Sequence, residues 1–236
     1  MNFEFTFILP CLNEEKTLAY CINEIKNYIE KYSLNAEILV SDNNSTDHSR
    51  EIAIKNGARV VIAKEKGYGS ALINGTKHAY GKYCIMGDSD GSYDFSNLQD
   101  FIEGVRNGYD LVVGNRFLGG IAPKAMPFSH KIGVKFLSII ANCFFHTPIH
   151  DYHCGLRAYN TEKMQGLNFE QKGMEYASEM IIKAKINHLS LLEVPTILRK
   201  DLRDRKPHLR TIRDGFRHLY LIFHIALHKN KYSEEK

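Results

Sequence analysis

Two aspartates one residue apart, Asp88 and Asp90, stand in the run Gly87-Asp88-Ser89-Asp90-Gly91. The run follows Tyr83-Cys84-Ile85-Met86, an apolar stretch that reads as a buried strand. Open α/β sheets bind ligands at the C-terminal ends of their strands. Two neighbouring carboxylates there repel each other unless a positive charge sits between them. A hard divalent cation, Mg²⁺ or Mn²⁺, meets that need, because carboxylate oxygens suit it and it can hold substrate phosphates at the same time. Taken alone, the five residues would serve as well as a solvated turn, since Asp, Ser and Gly are turn formers. The rest of the chain decides between the two.

Other residues at strand ends supply the remaining parts of a nucleotide site. Pro10 closes the first apolar run, and it and the backbone after it are placed to bracket a flat base. Glu14 and Asp42 follow the first two strands, where they can accept from base or ribose donors; for Asp42 an Asx-turn or helix cap is the competing role. Lys66 is a cation for a diphosphate, and Ser92 is a weaker contact. The pair Gly67-x-Gly69 does not make a dinucleotide fingerprint, which needs its glycines in the first βα turn and a third further on, where this chain has Leu72. No Gly-Lys-Ser/Thr run follows either, so a phosphate-binding P-loop is absent from the sequence. Arg116 ends a strand at residues 110–114 on the same sheet edge as Asp88.

The elements that must position these residues read in order as β-α-β-α-β, with strands at 3–9, 36–40 and 58–63. That order implies a parallel sheet with right-handed crossovers. A helix at 71–80 precedes the aspartate strand, and a helix at about 95–106 follows it. Residues 119–127 hold two prolines and two glycines and read as a lid. Residues 129–145 and 214–228 are amphipathic helices, rich in aromatics and mixed with Lys and Arg. A strand at 189–198 contains Val194-Pro195, and its proline predicts an edge position. The fold class expected is α/β, a mostly parallel Rossmann-like nucleotide-binding sheet flanked by helices, with a C-terminal amphipathic helix. One unit is expected over residues 1–228, with about 1–118 on the donor side and about 119–228 on the acceptor side, before a polar tail at 229–236.

Composition excludes several classes. Apolar residues make up 44% and charged residues 25%, the balance of a globular chain rather than a disordered one. Net charge is +4, too mild to argue for nucleic acid. The charge is uneven: residues 199–236 carry the excess of Lys and Arg, which suits phosphates or an anionic membrane surface. Five scattered cysteines with no Cys-x-x-Cys pair fit reduced thiols, not disulfides or zinc, and point to the cytoplasm. His150, His153 and Cys154 lack a second paired motif, so they read as local structure. No signal peptide is expected at the N-terminus, and no run is long enough to span a membrane.

Five segments in this order resemble glycosyltransferase family 2, with the GT-A fold, and most closely its polyprenyl-phosphate (dolichyl- or undecaprenyl-phosphate) hexosyltransferase branch. They are Ile8-Leu9-Pro10-Cys11-Leu12-Asn13-Glu14-Glu15, residues 41–47, residues 66–72, Gly87-Asp88-Ser89-Asp90 and Gly114-Asn115-Arg116. Residues 151–157 and 173–180 match further on, so the likeness covers about 3–225. The resemblance implies an inverting, metal-dependent transfer from a nucleotide-diphosphate sugar. It places Asp42 and Asp88 by the nucleoside, Asp90 on the metal and Arg116 on a donor or acceptor phosphate. It further implies a peripheral position on the cytoplasmic membrane face, alone or with a membrane-embedded partner protein. Where dolichyl-phosphate mannose synthases have Gly-Glu-Ser-Lys, this chain has Arg203-Asp204-Arg205-Lys206-Pro207-His208-Leu209-Arg210, so the hexose stays open between glucose and mannose types.

The acceptor decides which residues do chemistry. A polyprenyl phosphate is already anionic, so its attack on the anomeric carbon needs cations that hold two phosphates together, and Arg203, Arg205, Lys206 and Arg210 supply them. A glycan or protein hydroxyl would instead need a general base, for which Asp151, Glu175 and Glu179 are the candidates. A catalytically silent nucleotide-sugar-binding subunit of a membrane complex is the third reading.

Overall fold

A computed structural model describes residues 3–203 and 211–232. Its centre is a seven-stranded sheet in the order β3-β2-β1-β4-β6-β5-β7. The strands are β1 (Phe3–Cys11), β2 (Ala36–Asp42), β3 (Arg59–Ile62), β4 (Gly81–Met86), β5 (Leu111–Asn115), β6 (Arg157–Asn160) and β7 (Leu191–Pro195). Among the named strands, every adjacent pair is parallel except those made by β6, which runs antiparallel between β4 and β5. The expected β-α-β-α-β opening is present, with α1 (Leu18–Lys31) and α2 (Ser49–Lys55) as crossovers. β1, β4 and β5 are buried and almost wholly apolar, as a sheet covered on both faces requires. β7, with Pro195, lies at the edge.

Several boundaries differ from the periodicity, each for a local reason. α3 (Tyr68–Lys77) starts three residues early, because Gly67 at φ 133° turns the chain there. A side chain at 67 would also sit 2.0 Å from the Lys172 carbonyl oxygen. α4 (Gln99–Arg106) starts later than expected: Phe95 and Leu98 pack into the core from an irregular lead-in. The segment read as a lid is tied down. After α5 (Arg116–Gly119), Ala122 N–H donates to the Leu198 carbonyl and Leu198 N–H to the Gly120 carbonyl.

The remaining helices are α6 (Phe128–Phe145), α7 (Thr161–Gly166), α8 (Tyr176–Ile186) and α9 (Thr211–Leu227), with a 3₁₀ turn at Lys229–Tyr232. α6 and α9 pack together, and the Phe144 and Phe223 rings meet edge to face at 5.5 Å. Leu137, Ala141 and Phe145 on α6, and Leu221, Ile222 and Ile225 on α9, are buried. Their other faces are apolar too, and stay open: Phe128, Phe136, Phe216 and Tyr220 are 77%, 56%, 68% and 71% exposed. Among the described residues no helix is long and apolar enough to cross a membrane.

Candidate active site

The chain reverses its winding direction between β1, which leads to β2 and β3 on one side, and β4 on the other. That switch point opens a crevice at the carboxyl ends of the strands. A cavity of about 910 Å³ fills it, between the strand ends and the α6–α9 pair. Pro10, Glu14, Lys66, Asp88, Asp90, Arg116 and Arg203 all line it.

The floor is stapled by side chains bonded to backbone. Ser89 Oγ donates to the Pro10 carbonyl at 2.6 Å, and Thr17 Oγ1 to the Ser89 carbonyl at 2.7 Å. Ser92 N–H donates to Asp90 Oδ1 at 2.9 Å, so Ser92 positions that carboxylate. Asn43 accepts from Gly67 N–H at 2.7 Å and donates to the Glu65 carbonyl, holding the glycine loop to the end of β2. Asp42 itself lies beneath the wall, fully buried. It accepts from the N–H groups of Asn44 and Ser45 and from Arg50 Nε at 2.7 Å. This is the Asx-turn role weighed for it, with an ion pair added.

The two aspartates carry opposite partners. Asp90 is paired with Arg203, which also reaches Glu14 at 3.3 Å. Asp88 accepts from Tyr68 Oη at 2.9 Å. Burial and the negative charge of Asp90 push the Asp88 carboxyl up to about 7, against the Tyr68 hydrogen bond and the charges of Arg203 and Arg116. Burial and Asp88 in turn hold the Tyr68 hydroxyl well above its ordinary range, so it stays a donor. Gly155 makes room for this contact: a Cβ there would be 3.1 Å from both Tyr68 Oη and Asp88 Oδ2. The two carboxylates, offset here by the Arg203 guanidinium, fit a divalent cation that would take the guanidinium's place. Among the described residues no cluster of three or more His, Cys, Asp or Glu side chains could cage a metal. The fit is therefore that of a cation held by one or two carboxylates and completed by substrate phosphates.

Two of the amide groups opening α3 are spent within the protein. Gly69 N–H and Ser70 N–H donate to the carbonyls of Gly173 and Lys172. Arg116 is buried, and its Nε and Nη2 meet the two oxygens of Asp151 at 2.7 Å each. Arg116 still lines the cavity.

The base candidates lie off the cavity. Asp151 is fully buried; besides the guanidinium it accepts from Arg116 N–H, while its own N–H donates to Glu193. Glu179 is fully buried off the cavity, accepting from the N–H groups of Glu170 and Gln171 at 2.9 Å and from Lys183 at 2.9 Å. Glu175 is buried off the cavity, with one oxygen on Arg217 and Oε2 without a hydrogen-bond partner among the described residues. Arg205, like Lys206 and Arg210, lies outside the described residues.

Sequence reasoning missed three contributors, Tyr68, Tyr93 and His218, while His153 has the local structural role expected of it. Tyr68 stood unremarked between two glycines. Tyr93 accepts from Gly155 N–H at 2.7 Å, fixing the loop beside Asp88. His153 and His218 meet at 3.3 Å between Nε2 and Nδ1, and His218 Nδ1 is 2.9 Å from Ser178 Oγ. Burial holds His218 down to about 4, and burial with the charges of His218 and Arg116 holds His153 well below its ordinary range. The pair is therefore neutral, and it ties α9 to the 151–157 loop.

The architecture and its switch-point cavity define a GT-A nucleotide-sugar fold. Glucosyl-3-phosphoglycerate synthase from Mycobacterium tuberculosis, solved with Mn²⁺, UDP and phosphoglyceric acid, superposes with a TM-score of 0.72, covering 99% of this chain and 80% of that one at 19% identity. The family model for glycosyl transferase family 2 matches residues 6–167. This chain belongs to that family. It is 36% identical over 214 residues to the low-salt glycan biosynthesis hexosyltransferase Agl6 of Haloferax volcanii, covering 90% of this chain and 51% of that protein. It is 29% identical over 221 residues to the dolichol-phosphate mannosyltransferase of Pyrococcus furiosus, covering 90% of this chain and 62% of the relative. The chain thus spans between half and two thirds of the length of these two relatives.

Proposed function

We propose that this glycosyltransferase moves a hexose from a nucleotide-diphosphate sugar to a polyprenyl phosphate at a membrane face, using Mg²⁺ or Mn²⁺ held by Asp88 and Asp90. The observation that carries the acceptor is that none of the three candidate bases lines the cavity. Asp151 is spent on Arg116, Glu179 on Lys183 and two amides, and Glu175 on Arg217. A hydroxyl acceptor would need a general base in reach of it to take its proton, and these three lie off the cavity. A phosphate monoester needs none, because its attacking oxygen already carries charge.

In this reading Pro10 and the residues after it bracket the base, and Glu14 and Lys66 flank the nucleotide. Asp88 and Asp90 hold the cation, which when bound offsets the charge that builds on the leaving diphosphate. Arg203 neutralises Asp90 in its place and turns to a phosphate when donor and acceptor arrive. Arg116, kept rigid by Asp151, meets the acceptor phosphate with the edge of its guanidinium left to the cavity. Two anionic partners are thereby held together by positioning and electrostatics alone. The exposed apolar faces of α6 and α9 flank the cavity and suit a helix pair lying in the interface, so that the lipid keeps its chain in the bilayer. The named activities of the Haloferax and Pyrococcus relatives, and the Mn²⁺ and UDP in the mycobacterial structure, favour the same assignment.

The test is turnover with undecaprenyl phosphate against undecaprenol, each with UDP-glucose and GDP-mannose. Metal-dependent nucleotide release with the phosphate and none with the alcohol is the expected result. Equal release with the alcohol would assign a hydroxyl acceptor.

A further inference from the structure

From Arg116 to His150 the chain contains no aspartate or glutamate. Its Lys and Arg residues are Arg116, Lys124, Lys131 and Lys135, and Arg116 is taken by Asp151. Lys131 and Lys135 stand one turn apart on α6 and line a groove of about 370 Å³ between α5 and α6. Phe117, Ile121, Phe128 and Ile132 form its apolar walls. Lys135 Nζ sits 4.6 Å from the centre of the Phe117 ring. Phe128, Ile132 and Phe136, on the same helix, are more than half exposed.

We propose that this groove binds the phosphate of an anionic phospholipid headgroup, and so seats the first half of α6 in the headgroup layer. The inference rests on the reading that α6 and α9 lie on a membrane, and it adds which lipid charge they select. The groove combines two features that suit a headgroup. Ammonium groups act as point charges for phosphate oxygens, and no acid is among the residues that line the groove. Long lysine stems can lie along apolar walls while the charge stays at the phosphate level, and the adjacent aromatic and aliphatic side chains enter the acyl boundary. The acceptor phosphate is a separate ligand, since it is expected in the main cavity beside Asp88 and Arg203.

The experiment is co-sedimentation of the full chain with phosphatidylcholine vesicles, with and without 30 mol% phosphatidylglycerol, at fixed salt. The unmodified chain should prefer the anionic vesicles. Lys131→Ala/Lys135→Ala should weaken that binding by about fivefold per lysine, about thirtyfold for the pair. Lys55→Ala/Lys77→Ala, with both charges removed from exposed helix ends elsewhere, should bind as the parent does. Circular dichroism melts confirm that each variant folds. Equal binding of the groove variant and the parent, or no preference for anionic vesicles, would overturn the inference and leave membrane docking standing. No binding to any vesicle would overturn both. Saturable binding of glycerol 3-phosphate without vesicles, lost in the groove variant, would overturn the bilayer source in favour of a soluble phosphate.

Discussion

The two walls of the cavity are built by different forces. On the strand-end wall, Asp88, Asp90, Glu14 and Arg203 are set by hydrogen bonds and ion pairs that cross the fold, with Ser89, Thr17 and Asn43 fastening the loops beneath them. On the helical wall, α6 and α9 meet through apolar contacts, a neutral histidine pair ties α9 to the 151–157 loop, and large side chains stay in the open. Directional bonds fix atoms to fractions of an ångström, which charge stabilisation requires. Apolar packing fixes a surface without fixing each side chain, which suits a long flexible lipid. Under the proposed function, the first wall does the chemistry and the second delivers the acceptor.

The sharpest way to break this contrast is at Asp90. Asp90→Ala should cut turnover by about 10³-fold with the fold retained, since removing one charge-stabilising group in such sites costs on that order; label-transfer rates and circular dichroism measure it. The next effect is on stability. Arg116→Ala leaves Asp151 buried and unpaired, and should cost about 3–5 kcal/mol in a denaturant titration. Restoring much of that loss in Arg116→Ala/Asp151→Asn would show that the pair also works structurally.

Tyr68→Phe is a smaller probe of the strand-end wall. Losing one hydrogen bond to a charged group should raise the half-saturating metal concentration by about tenfold, with maximal rate at saturating metal changed far less. An unchanged metal requirement would remove Tyr68 from the account.

The helical wall has its own probe in pH. His218 is held at about 4 in the folded chain and would titrate near 6.5 when unfolded. Between these values the unfolded chain binds the extra proton, so the stability is present above 6.5 and lost as pH falls toward 4. The slope should be about 1.4 kcal/mol per pH unit for this one group. Melting curves of His218→Gln should show a shallower acid decline than the parent. An identical decline would mean that the histidine pair does not govern how α9 is held.

Much of the strand-end wall was legible in the sequence because its residues lie within a few positions of an apolar run. Asp88, Asp90, Pro10 and Arg116 each end a strand, and the alternation from strand to helix set the parallel sheet. What was not legible depends on distant partners. Arg203 meets Asp90 across 113 positions and Arg116 meets Asp151 across 35, and no local pattern encodes either. Glu179 is a different case, because Lys183 stands at the i+4 position and signals an ion pair on one helix face. β6 escaped full description because four residues are too few to show a period or a direction. The exposed stripes on α6 and α9 were visible as amphipathic patterns, but which face turned inward depended on how the two helices pack.

The most direct measurement is transfer of radiolabelled hexose from UDP-glucose or GDP-mannose into the organic phase with undecaprenyl phosphate in detergent, with and without EDTA. The account predicts label in the organic phase with one donor, abolished by EDTA and by Asp90→Ala. Label that persists in EDTA, or that appears only on a water-soluble glycan, would contradict it.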